Sequence, residues 1–271
     1  MLALALTIGG LISFHARAAV PDTAGTCRLQ GEETARVANI VDGDTLVLND
    51  GRQVRLAGTQ APKLPLGRRN FRTWPLADQS RAALEKLSLG KTVTLRYGGA
   101  EKDRYQRLLA HLFLPDGRWI QQAMIEQGLA RVYSFPDNQS CVDALLASEQ
   151  TARTARRGIW ALTYYAIRDA ADASRLRADE GTYQLVEGKA VSAALVRKTL
   201  YINFGSDWKT DFTVRISPGN LGNFSGEPWQ SFIDDPRILA GARLRVRGWV
   251  GNWNGAEIAV THPGQIELLD H

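Results

Sequence analysis

From Val41 onward, apolar residues alternate with polar ones: Val41, then Leu46 and Leu48, then Val54 and Leu56. A period of two predicts strands with one buried face. Asn49-Asp50-Gly51 is a turn signal that joins two of these strands into a hairpin. Thr92–Tyr97 and Leu108–Leu114 alternate in the same way, with Asp103–Arg107 in the connection between them. The period then becomes helical. Pro75 opens a predicted helix that runs to Leu87, with Leu76, Leu84 and Leu87 on its apolar side and Gly90 at its end. Pro115-Asp116-Gly117 turns the chain into a short helix, Trp119–Gln127, closed by Gly128. Ser140–Arg157 predicts a third helix, with Ser140 suited to its N-cap. Arg153, Arg156 and Arg157 crowd its last turn, where they suit the dipole.

The second half has its own pattern. Residues 163–180 are rich in Ala, Arg and Asp and read as a connecting helix or semi-rigid linker. Tyr183–Leu195, Thr199–Phe204, Asp211–Ile216, Arg243–Val250 and Glu257–Leu269 read as strands, with Asn254-Gly255 as a hairpin signal between the last two. A short helix is expected within Pro228–Leu239. Five strands with that interruption is the order of an OB fold. The expected fold class is mainly β with α. A domain at 28–162 carries three helices, and a second OB-like β domain covers 181–271.

Composition adds little to this picture and charge adds more. The 271 residues, 44% hydrophobic and 23% charged, are ordinary globular material with room for two modest domains. Net charge is +5, which permits a polyanion partner without demanding one. From Gly181 onward nine Lys and Arg balance nine Asp and Glu, so the excess lies with the first domain. Leu2–Phe14 is an apolar run too short to span a bilayer. Ala16-Arg17-Ala18 after it is an A-x-A cleavage signal, so residues 1–18 read as a secretory signal and the protein as exported, periplasmic or secreted. A buried N-terminal helix or a short anchor is the other reading of that run. In an oxidising compartment Cys27 and Cys141, near the two ends of one domain, are expected to pair; two unrelated thiols is the alternative.

Candidate chemistry gathers in the stretch Val41–Lys63. Asp42 and Asp44, two apart on one predicted strand, are expected to point the same way, and Arg55 returns on the partner strand. Two carboxylates and an arginine brought together by a hairpin suit a hard cation beside a phosphate. VDGDT at 41–45, VRLAG at 54–58, QAPK at 60–63, DRYQR at 103–107, QGLARVYSFP at 127–136 and RRGIW at 156–160 occur in an order that resembles the staphylococcal-nuclease (thermonuclease) family. The resemblance implies a calcium-dependent phosphodiesterase on a five-stranded OB barrel with three helices. By position it implies that Asp44 is a calcium carboxylate, with Asp42 in support, and that Arg55 and Arg107 clamp phosphate. Arg104, Tyr105, Tyr133 and Phe135 fall where the family contacts a bound nucleotide.

Three positions depart from the family pattern. Its second calcium carboxylate falls on Gln60, the threonine that lends a backbone carbonyl falls on Ala61, and the glutamate proposed as general base falls on Lys63. A protonated lysine accepts no proton from water and repels a cation. Lys63 follows Pro62 beside a basic loop and is expected to stay exposed. Calcium or another divalent ion is therefore expected to bind weakly.

Other features carry two readings each. Lys63–Trp74 holds three arginines among two aromatics. It reads as a loop reaching a polyanion strand, or as a solvated loop whose Phe71 and Trp74 tuck into the core. His111 reads as a structural strand histidine. Tyr201, Phe204, Trp208, Phe212, Trp249 and Trp253 beside Arg243, Arg245 and Arg247 read as a base-stacking face, or as core aromatics behind a solvated strand face. The segments YINFGSDWKTDFTV and LRVRGWVGNWNGAEIAVTHPGQIELL resemble the C-terminal extension of some bacterial members of the same family. The expected function is a protein that binds nucleic acid or another phosphate-bearing ligand with weak or no hydrolysis. An active divalent-metal-dependent nuclease is a second reading. An envelope adaptor that binds protein through its second barrel is a third.

Overall fold

The computed structural model describes residues 27–269. The expected signal segment, 1–18, lies outside them. The first half opens with β1 (Gln30–Asp42), β2 (Thr45–Leu48), β3 (Gln53–Leu56) and the two-residue β4 (Thr59–Gln60). Then come α1 (Ala77–Ser88), β5 (Thr92–Tyr97), β6 (Leu108–Phe113), α2 (Ile120–Glu126), β7 (Arg131–Val132) and α3 (Val142–Thr154). Five of the strands close a barrel in the order β1-β2-β3-β6-β5, with β3 and β6 parallel. The alternation explains the closure: Ile40, Leu46, Leu48, Val54, Leu56, Val93, Leu95, Ala110 and Leu112 all point inward and are buried.

α1 begins two residues after Pro75, because Leu76 takes a left-handed conformation as its N-cap, with φ 67°. Ala77, Ser80, Leu84 and Ser88 then form its buried face. Cys27 and Cys141 form a disulfide that ties the N-terminal arm to the start of α3, with Cα atoms 4.9 Å apart. The bond spans 114 residues. Loop-closure entropy for a span of that size amounts to about 4–5 kcal/mol.

The segment 163–180 is not one helix. It holds a 3-10 turn (Thr163–Tyr165), β8 (Arg168–Asp169) and α4 (Ala173–Ala178). β8 pairs in parallel with β9 (Tyr183–Lys189), so this segment is built onto the second sheet. A buried pair, Arg168 Nε to Asp179 Oδ2 at 2.6 Å, folds it back on itself.

The second half continues with β10 (Ser192–Val196), β11 (Thr199–Asn203), β12 (Thr213–Ile216), α5 (Pro218–Leu221) and α6 (Trp229–Asp234). β13 (Arg243–Asn252), β14 (Ala256–Val260) and β15 (Ile266–Leu268) complete it. The sheet runs β10-β11-β12-β14-β13-β9-β8, with β15 also on β13. The predicted strand 183–195 is broken after Lys189 into β9 and β10, which form opposite flanks of this sheet. Counted with β9 and β10 as one bent strand, the order repeats that of the first barrel. The parallel pair is now β12–β14. Phe204 and Phe212 belong to the core of this half, whereas Trp208, Trp249 and Trp253 are exposed.

The two halves meet along α3 and β13. Arg247, fully buried, donates to Glu149 Oε1 at 2.9 Å, to Glu149 Oε2 at 3.1 Å and to Glu267 Oε1 at 2.5 Å. Arg153 reaches the same two carboxylates, each at 3.0 Å. Arg245 bridges Glu187 and Glu267, and Arg243 pairs with Glu187. The three alternating arginines of β13 do share one strand face. Arg245 and Arg247 are taken up by the carboxylates of β9, β15 and α3, while Arg243 pairs with Glu187 at the edge of that face and stays exposed. Arg153 likewise serves this seam and not only its helix dipole.

Candidate functional site

Asp42 ends β1 and pairs with Thr45, which leaves Gly43-Asp44 as a two-residue turn. The expectation that both aspartates lie on one strand is thereby corrected. The Asp44 N–H donates to Asp42 Oδ1 at 3.0 Å, and both carboxylates converge on one cation, Lys63 Nζ, at 2.6 Å from Asp44 Oδ2 and 3.6 Å from Asp42 Oδ2. Gly43 is required here: a Cβ would stand 2.0 Å from Ser80 Oγ on α1 and 2.7 Å from the Ala61 methyl. The turn thus presses against α1, and the Asp44 side chain is fully buried.

Donors surround Asp44. Arg55 Nη1 lies 2.6 Å from Oδ1. Lys63 Nζ donates to Oδ1 at 2.8 Å and to Oδ2 at 2.6 Å. The Ala61 N–H donates to Oδ2 at 2.6 Å and Thr45 Oγ1 to Oδ1 at 3.2 Å. Lys63 Nζ also stands 3.6 Å from Asp42 Oδ2. The lysine side chain is only 20% exposed, against the expectation of a solvated one. Two neighbouring carboxylates outweigh the desolvation of one ammonium, so Lys63 folds inward. Burial works to raise the Asp44 pKa, but Arg55, Lys63 and the hydrogen bonds from Lys63 and Ala61 hold it well below the usual carboxylate range. Asp42 moves the other way: burial and then the Asp44 charge push it up, and Lys63 and Arg55 offset only part of this.

The remaining positions divide into two groups. Arg55 also donates to the carbonyls of Asp44 and Thr59, at 3.2 and 2.6 Å. With Tyr133, Phe135, Asn138 and Leu109 it lines a shallow surface cleft. Tyr133 and Phe135 meet edge to face at 5.0 Å. Arg107 sits on the adjoining connection, two residues before Leu109, the residue that pairs with Arg55. Its Nε donates to Asp103 Oδ2 at 2.8 Å. Tyr105, exposed, has the Arg104 guanidinium 4.8 Å from its ring and that of Arg107 at 5.5 Å. The loop 63–74 divides its two readings: Phe71 stacks on Trp74 and both are half-buried, while Arg69 and Arg72 stay exposed. His111 is buried against Trp119 and pushed down to about 4 by burial, as suits a neutral structural imidazole.

These residues do not fit a calcium ion. Calcium takes six to eight oxygen ligands with lone pairs to give. Both Asp44 oxygens already accept from cations or an amide. Gln60 Oε1 is turned away and accepts from Arg131 Nε and Nη2 at 2.9 and 2.7 Å. Among the described residues no group of three His, Cys, Asp or Glu is placed to hold a metal.

Sequence reasoning missed Arg131, which is buried with Gln60 on one side and the Tyr183 ring 4.6 Å away on another. It also missed Asn138, whose buried Oδ1 lacks a hydrogen-bond partner. Arg131 meets Gln60 across 71 residues, and the Asn138 Nδ2 donates to the Ala100 carbonyl across 38, so no local spacing announces either.

A barrel with paired aspartates at a hairpin turn, an arginine opposite and a flanking aromatic cleft defines a nuclease-type OB domain. A profile described as "Staphylococcal nuclease homologue" matches residues 53–162. An uncharacterized endonuclease of Escherichia coli O157:H7 is 32% identical over 128 residues, 46% of this chain and 75% of that protein. A thermonuclease of Staphylococcus hyicus is 26% identical over 132 residues, 48% of this chain and 76% of that protein. Endonuclease YncB of Bacillus subtilis (strain 168) is 33% identical over 132 residues, 46% of this chain and 60% of that protein. The chain belongs to the staphylococcal nuclease homologue family. Among the described residues no helix is long and apolar enough to cross a membrane.

Proposed function

We propose that this protein is an exported member of the family that binds nucleic acid, or another phosphate-bearing ligand, without needing a metal, and hydrolyses it slowly or not at all. One observation carries the reading: the Lys63 ammonium lies within 2.8 Å of both Asp44 oxygens, where the family resemblance calls for a cation. The ammonium shares the neutralisation of Asp44 with Arg55, and Arg55 and Arg107, positioned by Asp44 and Asp103, are the forks assigned to phosphate in this reading. The same ammonium supplies no general base, a contribution of typically 10²–10⁴-fold in rate. Export rests on the apolar run 2–14 followed by Ala16-Arg17-Ala18, and the disulfide suits an oxidising compartment.

The test is nucleotide and oligonucleotide binding by titration calorimetry with a chelator present. Arg55→Ala and Arg107→Ala should each weaken binding by about 1.5–3 kcal/mol, the range for hydrogen bonds to a charged group. Unchanged affinity in both variants would remove the clamp from the account.

A further inference from the structure

The second barrel does not stop at the seam. We infer that its Trp249 extends the nucleotide cleft of the first barrel, so that a single strand of nucleic acid lies across both barrels and stacks a base on this indole. The inference rests on the nucleic-acid reading above and names a residue outside the matched family segment, which ends at 162.

Four observations bring Trp249 to the cleft. Its Nε1 donates to the Tyr133 hydroxyl at 3.2 Å, and Tyr133 lines the cleft with Arg55 and Phe135. Rings continue the path: Tyr133 to Tyr183 at 4.9 Å, then Tyr183 to Trp249 at 6.0 Å. The two ends of that run are open, Phe135 at 46% and Trp249 at 50% exposed, while Tyr183 between them is buried. The register is also fixed. Arg247, two residues before Trp249 on the same face of β13, is buried against Glu149 and within 3.4 Å of the Val132 carbonyl, next to Tyr133.

An exposed indole joined to a phosphate-binding cleft suits an unpaired base. Aromatic faces accept any base, and only a single strand can turn its bases outward to meet them. The second barrel carries no net charge of its own, so its share of binding is stacking and not phosphate contact. That distinction gives the test. Affinities of the full chain are measured for thymidine monophosphate and for a single-stranded oligothymidylate of roughly eight nucleotides, a length within the range that one OB barrel covers.

Native protein should gain affinity from the first ligand to the second. Trp249→Ala should remove about 5-fold to about 150-fold of that gain, the equivalent of about 1–3 kcal/mol of stacking at 1.4 kcal/mol per tenfold. The slope of affinity against salt should stay unchanged, since no phosphate contact is lost. Trp249→Phe, which keeps a ring and gives up the bond to Tyr133, should retain most of the gain. A full gain in Trp249→Ala overturns the inference and leaves the clamp standing. So does native protein that binds duplex as tightly as single strand. Native protein that binds neither ligand overturns the inference together with the reading beneath it.

Discussion

In the first barrel the parallel pair β3–β6 carries Arg55 opposite Leu109, and in the second the pair β12–β14 carries Arg215 opposite Ala259. QVRL and TVRI, the two strands concerned, place their arginines alike. The surroundings differ. The hairpin turn between the first two strands is Gly43-Asp44 in one barrel and Arg197-Lys198 in the other. Arg55 therefore meets a buried aspartate beside an open cleft. Arg215 meets Glu257 across its own sheet, with Nε 3.0 Å from Oε2. Its barrel places three further arginines on the β13 face, two of them in the seam. Strand order supplies equivalent positions, and the side chains at one turn decide what each arginine meets.

Three results would break or sharpen that contrast. The largest effect is expected at the seam. Arg247→Ala leaves Glu149 buried and short of a partner, and removing one side of such a pair costs about 3–5 kcal/mol. Chemical denaturation should show that loss, and a midpoint that does not move would mean the seam is not what holds the barrels together.

Next comes acid. Burial alone would raise the Glu267 pKa, but Arg247, Arg153 and Arg245 lower it from 4.5 to about 2. A depressed carboxylate stabilises the fold fully above its unfolded value and loses that contribution as pH falls through the folded one. Between about pH 4.5 and pH 2, stability on the order of 3 kcal/mol should disappear from this group. Glu267→Gln should flatten the stability profile across that window, and an unchanged profile would show that its pairs do not act as described.

The smallest effect separates the equivalent arginines. Arg55→Ala should weaken nucleotide binding within the range given above, whereas Arg215→Ala should leave it alone. Equal losses from both would erase the distinction between them.

Much of the first barrel was legible because its signals are local. Alternation at Leu46, Leu48, Val54 and Leu56 gave strands, and Asn49-Asp50-Gly51 gave the turn between them. Alternation reads Asp44 as a strand residue, because a two-residue turn leaves almost no gap in the pattern. The substitution of lysine at position 63 could be read, but its direction could not. Lys63 reaches Asp44 across 19 residues and depends on the fold of the intervening hairpin and β4. The seam was invisible for the same reason on a larger scale: Glu149 and Arg247 stand 98 residues apart. Periodicity reports which face of a strand is distinct. It does not report what covers that face, and so Arg243, Arg245 and Arg247 resembled a surface for nucleic acid.

The central claim is that Lys63 stands in for the metal and removes the base. It is met most directly by following cleavage of single-stranded DNA with calcium and with chelator, in native protein and in the double variant Gln60→Asp with Lys63→Glu. The account predicts slow or no cleavage by native protein, equal in both conditions. It predicts calcium-dependent cleavage by the double variant, faster by about 10²-fold or more, because a carboxylate ligand and a base have been restored. Native protein that cleaves at about 1 s⁻¹ or faster with calcium, stops with chelator and loses the activity in Asp44→Ala would contradict it.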